Sequence, residues 1–286
     1  MAKTTTSKGP LGPGLPPGRL IELPERGTTF VRELNGPRGA PTLLLLHGWT
    51  ATADLNWFPT YVPLSRQYRV VALDQRGHGQ GIRSRKAFRL TDCADDAVAL
   101  ADALGIKEFV PIGYSMGGAV AQLIWKRHPA RVRGLVLAAT SRNFSGTREE
   151  QLSFLGLGGL AAMSRVIPSP VRKRIVAQYL GKRSERGWEA WAIEQVRPHD
   201  WTAILEAGRA IGNFSSREWI GGIDVPTSVI MTAGDHVVPP RRQLRLAESI
   251  PNAHVYRIDG DHDVCIAGAD RFVPLLMSAL DAVIRS

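Results

Sequence analysis

Hydrophobic positions along the chain fall into short runs, each four to eight residues long and separated by stretches with a different rhythm. RLIEL (19–23) and TTFVREL (28–34) alternate apolar with polar residues, and predict an antiparallel pair at a sheet edge. TLLLL (42–46), YRVVAL (68–73) and EFVPIG (108–113) are short, continuous apolar runs, as expected of buried parallel strands, and GLVLAAT (134–140), TSVIMTA (227–233) and HVYRI (254–258) are expected to be the next strands. Between them, residues 91–104, 115–128, 240–249 and 268–285 carry apolar positions at helical spacing, the first with Thr91 and Asp92 as expected capping residues. Strands alternating with helices predict an α/β fold with a mostly parallel eight-stranded sheet flanked by helices.

The rhythm breaks once. After Thr140 more than eighty residues pass before the strand at 227, and Leu, Ala and Trp recur there at helical spacing. LGLGG (155–159) and PSP (168–170) are expected to interrupt the helices. A structureless loop of that length does not fit a compact domain, so residues 141–222 are expected to form a helical cap inserted between strands six and seven. The core is then 19–140 together with 223–286. Residues 1–18, MAKTTTSKGPLGPGLPPG, have no apolar centre for a signal peptide, and their Pro, Gly, Thr and Lys content predicts a disordered leader.

Composition narrows the class. With 44% hydrophobic and 22% charged residues the chain has ample material for a core, and no apolar run approaches the roughly 18 residues that span a bilayer. A cytoplasmic protein that is not integral to a membrane is expected. Cys93 and Cys265 are too few for a disulfide framework and lack metal-ligand spacing, so two buried thiols are expected. The net charge of +10 raises a nucleic-acid partner, but the basic residues are scattered. RSRK (83–86) and RKR (172–174) are the densest groups, and neither is interleaved with aromatics. A solvated basic surface is the expectation, with no nucleic acid bound.

Candidate chemistry begins at PIGYSMGG (111–118). Gly113-Tyr114-Ser115-Met116-Gly117 reads G-x-S-x-G between a predicted strand and a predicted helix, the context in which a serine sits on a sharp turn as a nucleophile. Gly113 and Gly117 give that turn room, and Gly118 lets the helix approach the sheet. A serine hydroxyl needs a base and an acid, and these are expected later in the chain in the order acid, then histidine. Asp235 follows strand TSVIMTA and His262 follows strand HVYRI, so both belong to loops on the sheet edge that carries Ser115. His262 is expected to take the Ser115 proton, and Asp235 to hold its tautomer.

His236 and His254 are weaker candidates for the base, because one precedes the last strand and the other lies in it. His47 and His78 come too early and suit loops that shape the site. Asp261 and Asp263 flank His262, and sequence neighbours point apart. The negative oxygen of a tetrahedral intermediate needs backbone donors. Met116 at the helix start is one, and the turn His47-Gly48-Trp49-Thr50 after TLLLL should supply the other, from Trp49 or failing that Thr50.

LLLLHGW (43–49), DQRGHG (74–79), GYSMGG (113–118), AGDHVVP (233–239) and GDHD (260–263), in this order, resemble the α/β-hydrolase superfamily over roughly residues 19–285. The resemblance implies an eight-stranded sheet with its second strand antiparallel, a cap between strands six and seven, and DQRGHG as a turn that buttresses the site. Gln80-Gly81 follows where relatives commonly carry a serine. Ser115 argues against haloalkane dehalogenases and epoxide hydrolases, which use aspartate there. Tyr114 fits neither the G-N-S of carbon–carbon hydrolases nor the G-G-S-W-G of proline iminopeptidases, and it keeps cofactor-free perhydrolases, similar to haloperoxidases, as the closest rival.

The implied activity is a serine esterase acting on a small-molecule ester with an apolar acyl or alcohol part, lactones and thioesters included, with no cofactor or metal. A perhydrolase or carbon–carbon hydrolase with the same triad, and a ligand-binding receptor on this fold, stay open. Trp188, Trp191, Trp201, Trp219, Phe154 and Phe214 in the insertion line a pocket on one reading, and pack at helical spacing on the favoured one.

Overall fold

The computed structural model describes residues 13–168, 170–171, 174, 177–178 and 190–285. Eight strands form one sheet: β1 (Gly18–Leu23), β2 (Gly27–Leu34), β3 (Thr42–Leu46), β4 (Arg69–Leu73), β5 (Val110–Tyr114), β6 (Leu135–Ala138), β7 (Thr227–Thr232) and β8 (His254–Ile258). Their spatial order is β1-β2-β4-β3-β5-β6-β7-β8. β2 runs antiparallel to both β1 and β4, and every pair from β4 to β8 is parallel.

Continuous apolar sequence is explained by two cores. Successive residues of a strand point to opposite faces. Leu44, Leu46, Val71, Leu73, Leu135 and Leu137 enter one cluster, while Leu43, Leu45, Val70, Ala72, Val136 and Ala138 enter the other. The first face is covered by α3 (Leu90–Ala103) and α4 (Met116–Arg127). The second is covered by α1 (Ala53–Trp57), α2 (Tyr61–Ser65) and the C-terminal helix described below.

Between β6 and β7 the described residues include α5 (Arg148–Val166), α6 (Ala190–Val196) and α7 (Trp201–Gly212). After β7 come α8 (Pro240–Ala247), then, beyond β8, α9 (Val264–Ala267) and α10 (Ala269–Ile284). No helix among the described residues is long and apolar enough to cross a membrane. Cys93 and Cys265 are buried free thiols.

Some local expectations change. α3 starts at Leu90, with Arg89 in extended conformation at the cap position and no side-chain cap bond, so Thr91 and Asp92 lie inside the first turn. Leu90 is buried, which draws the helix start one residue forward, and the Asp92 carboxylate pairs with Arg76 instead of a helix amide. LGLGG does not interrupt α5, which runs through it unbroken from a capping box of Thr147 and Glu150. The reason is a close crossing with α7. A Cβ on Gly158 would stand 2.6 Å from the Arg209 side chain, and Leu157 and Phe154 lie against Gly208 and Gly212 of α7. At the N-terminus Gly18 already opens β1, Leu15 packs on the core, and the Pro16 carbonyl accepts from Arg32. Residues 1–12, Arg172, Lys173 and Trp188 lie outside the described residues.

Candidate active site

β5 ends at Tyr114 and α4 begins at Met116, leaving Ser115 alone on the turn with φ 53° and ψ −117°. A non-glycine residue in this region is strained and persists only where its surroundings hold it. Here the Ser115 amide donates to the Ala138 carbonyl at 3.0 Å, and its own carbonyl accepts from Thr140 Oγ1 at 2.7 Å. The flanking glycines have a steric reason. A Cβ on Gly113 would lie 2.3 Å from the Gly117 carbonyl oxygen, and one on Gly117 would lie 2.0 Å from the Leu46 carbonyl oxygen.

The structure brings Ser115, His262 and Asp235 together. His262 Nε2 is 2.9 Å from Ser115 Oγ, and His262 Nδ1 is 2.8 Å from Asp235 Oδ2. Asp235 is anchored on every side. Its Oδ1 accepts from the amides of Val237 and Val238, and its Oδ2 accepts from Thr232 Oγ1 at 2.6 Å and Gln243 Nε2 at 3.2 Å. Burial works to raise this carboxyl, but the hydrogen bonds from His262, Thr232 and Val238, with the charge of His262, outweigh it and hold the group below its ordinary value. A carboxylate so fixed favours the tautomer with a proton on His262 Nδ1, leaving Nε2 free to accept from the serine.

The competing groups sit elsewhere. His236 is almost fully exposed and pairs with Asp261. Asp261 joins the two loops through the amides of His236 and His262, bonds that lower its carboxyl to about 2. His254 is exposed at the start of β8. His47 and His78 are fully buried, and burial lowers the pKa of His47 to about 3 and that of His78 well below the usual imidazole range.

The turn after β3 closes with the Ala51 amide donating to the Gly48 carbonyl at 3.3 Å, and Thr50 takes φ 62°. The Gly48 amide is already committed to Asn56 Oδ1 at 2.9 Å. The Gly48 carbonyl also accepts from His47 Nδ1 at 2.8 Å, because His47 Nε2 is occupied by the Gln75 amide at 2.9 Å. A trans peptide is planar, so fixing that carbonyl fixes the Trp49 N–H in the opposite direction. Gly48 lies close to the nucleophile, since a Cβ there would be 3.4 Å from Ser115 Cβ. The amides of Trp49 and Met116 find no acceptor among the described residues. Met116 is the first residue of a twelve-residue helix, where the partial positive charge of the helix end adds to its amide.

DQRGHG supports this turn from below. Asp74 accepts from the amides of Ala53 and Gln80, and burial raises its carboxyl to about 7. Gln75 Nε2 donates to the His47 carbonyl, and Arg76 pairs with buried Asp96. Gln80 joins this network through its backbone amide. Arg83 of the RSRK group donates to the carbonyls of Gly79, Gly81 and Pro198, so one of its cations is structural.

The aromatic residues of the insertion mostly pack. Trp191 meets Phe58 edge-on, Trp219 stacks on Trp125, Phe214 lies against Phe144, and Trp201 borders His199. A cavity of about 680 Å³ lies between α3, α4, α5 and α7, with Phe88, Leu123, Arg209, Phe214 and Trp219 in its wall, and none of Ser115, Asp235 and His262 lines it. No group of three or more His, Cys, Asp or Glu side chains that could hold a metal ion occurs among the described residues.

Sheet order, turn geometry and comparison with known proteins converge on one class. A family model described as the alpha/beta hydrolase fold matches residues 41–157, which include Trp49, Ser115 and Met116. Over that stretch the chain matches this family, and its mostly parallel eight-stranded sheet is that of the α/β-hydrolase fold. It is 28% identical to the poly(3-hydroxyalkanoate) depolymerase of Ectopseudomonas oleovorans, over 92% of each protein. Among solved structures it is similar to the enol-lactonase of Burkholderia xenovorans (TM-score 0.75, 23% identity, 91% of this chain and 99% of that one). It is also similar to the bromoperoxidase of Bacillus anthracis (TM-score 0.77, 17% identity, 92% and 99%). These two share the fold and differ in the reaction their names give.

Proposed function

We propose that the chain is a serine hydrolase that cleaves carboxylic esters, lactones and thioesters included, through an acyl-enzyme on Ser115. One observation carries this reading: the unbroken relay from Ser115 Oγ through both ring nitrogens of His262 to a carboxylate with no exposed side-chain surface.

The steps follow from where protons can sit. His262 Nε2 takes the Ser115 proton as Oγ attacks the substrate carbonyl carbon, and Asp235 stabilises the imidazolium. Negative charge develops on the carbonyl oxygen, where the amides of Trp49 and Met116 receive it. Each such donor is worth about 3 kcal/mol or more of transition-state stabilisation. The Nε2 proton then passes to the leaving alkoxide or thiolate, and the acyl group stays on Ser115. Water attacks that ester with His262 again as base, and collapse restores the free serine.

The similarity to a poly(3-hydroxyalkanoate) depolymerase supports ester chemistry, and the segment between β6 and β7, which bonds to the loops after β3 and β4 at Trp49, Gly77 and Gly79, serves as a cap. Quenching the enzyme during turnover of a p-nitrophenyl ester and weighing the peptide that contains Ser115 tests the reading. An added acyl mass on that peptide is expected, and an acyl group found on another residue contradicts it.

A further inference from the structure

Beyond the relay, one imidazole stands between the inserted segment and the candidate oxyanion turn. His199, in the connection from α6 to α7, is 6% exposed and belongs to none of the motifs that mark the site. Its Nδ1 accepts from the Gly79 amide at 2.7 Å, and its Nε2 lies 3.1 Å from the Thr50 carbonyl oxygen. An amide N–H only donates and a carbonyl only accepts, so the two contacts fix the neutral ring with its proton on Nε2. Burial agrees, lowering this imidazole to about 4.

Thr50 is the residue at φ 62°, and a left-handed conformation at a β-branched residue is unfavourable unless its neighbours hold it. The Gly48 carbonyl on one side of Trp49 is fixed by His47 and Ala51. The Thr50 carbonyl on the other side is fixed by His199 alone among the described residues. The same segment makes three more ties to these loops. The Asp200 amide donates to the Gly77 carbonyl at 2.9 Å, Trp49 Nε1 donates to the Ile204 carbonyl at 2.8 Å, and Arg83 reaches the Pro198 carbonyl.

We propose that His199 is a positioning residue for the oxyanion-binding turn: seated between the Gly79 amide and the Thr50 carbonyl, it holds the Trp49 amide at the angle that receives negative charge. The anion site is then completed by the inserted segment and is not a property of the core alone. Acting through backbone that stabilises only the transition state, His199 affects kcat and leaves ground-state binding nearly unchanged. This assignment rests on the serine mechanism proposed above.

The test compares wild type, His199→Phe and His199→Gln in two reactions. One is steady-state hydrolysis of p-nitrophenyl butyrate. The other is labelling by an alkyl fluorophosphonate, in which Ser115 Oγ bonds to phosphorus, fluoride leaves, and the phosphoryl oxygen occupies the anion site while the serine proton passes to His262. His199→Phe keeps a ring but neither polar contact. It is expected to lower kcat and the labelling rate at least tenfold, with KM within threefold. His199→Gln retains a donor for Thr50 and is expected to recover most of both rates. Wild-type rates in a folded His199→Phe overturn the proposal.

A wild type that labels but hydrolyses no ester defeats the ester reading, and the labelling ratio still tests His199. Nitrogen NMR of the wild-type imidazole decides the matter if the variants fail to fold or the wild type does not label. A neutral ring protonated on Nε2 from pH 5 to 8 supports the assignment, and the other tautomer or an imidazolium overturns it.

Discussion

Asp235 Oδ2 and His262 Nδ1 meet at 2.8 Å from two loops, 27 positions apart in the chain, that follow neighbouring parallel strands. The contact is short because both partners are held independently: Asp235 by Thr232, Val237, Val238 and Gln243, and His262 by its amide on Asp261 and its carbonyl on the Tyr114 hydroxyl.

Asp235→Asn tests that relationship. Oδ2 receives donors from three side chains and Oδ1 from two amides, so an asparagine NH2 meets donors whichever way it turns. The variant is expected to lose at least three orders of magnitude in kcat, because His262 is released from its productive tautomer. Esterase kinetics beside a thermal unfolding curve check this, and kcat within tenfold of wild type assigns the orienting role to another carboxylate.

Gly117→Ala concerns the turn itself. Its Cβ would press on the carbonyl oxygens of Leu46 and His47 at 2.0 and 2.9 Å, and both belong to backbone that the sheet and the turn after β3 hold in place. A loss of about 1–3 kcal/mol of stability is expected from the displacement, together with a fall in kcat as the turn shifts. Denaturant unfolding measures the first and kinetics the second.

Asp74 gives a pH dependence with a definite sign. Its carboxyl is raised by burial to about 7, so the folded state holds a proton that the unfolded chain releases near pH 4. Stability from this group is therefore fully present below about pH 4 and is lost as pH climbs through about 7. Three units correspond to at most about 4 kcal/mol at roughly 1.4 kcal/mol each. The difference in unfolding free energy between wild type and Asp74→Asn is expected to move against wild type from pH 4.5 to 7.5, whatever constant offset the amide adds. A difference that stays flat over that window contradicts a protonated Asp74.

The central strands were legible because they are covered on both faces, and TLLLL or RVVAL has few other places to go in a compact α/β fold. That Ser115, Asp235 and His262 meet was legible because each follows a predicted strand of the sheet, so all three fall on one edge. The five-residue helices α1 and α2 are shorter than two turns and leave no period to read. Continuity of α5 through its glycines was hidden, since the crossing that uses them involves a helix some fifty residues away. His199, Asn56 and Gln243 were missed for a related reason. Each is a single buried polar residue whose partners only the fold brings within reach: His199 meets Gly79 and Thr50, Asn56 meets Gly48 and Cys265, and Gln243, inside the basic helix PRRQLRLA, turns back onto Thr232, Asp235 and Val238.

The most direct measurement of the central claim is steady-state hydrolysis of p-nitrophenyl esters from acetate to palmitate, by wild type, Ser115→Ala and His262→Ala. The account predicts many turnovers by wild type with one preferred chain length, and near-complete loss in both variants with the fold intact by circular dichroism. A wild type no faster than Ser115→Ala across the whole series would contradict it.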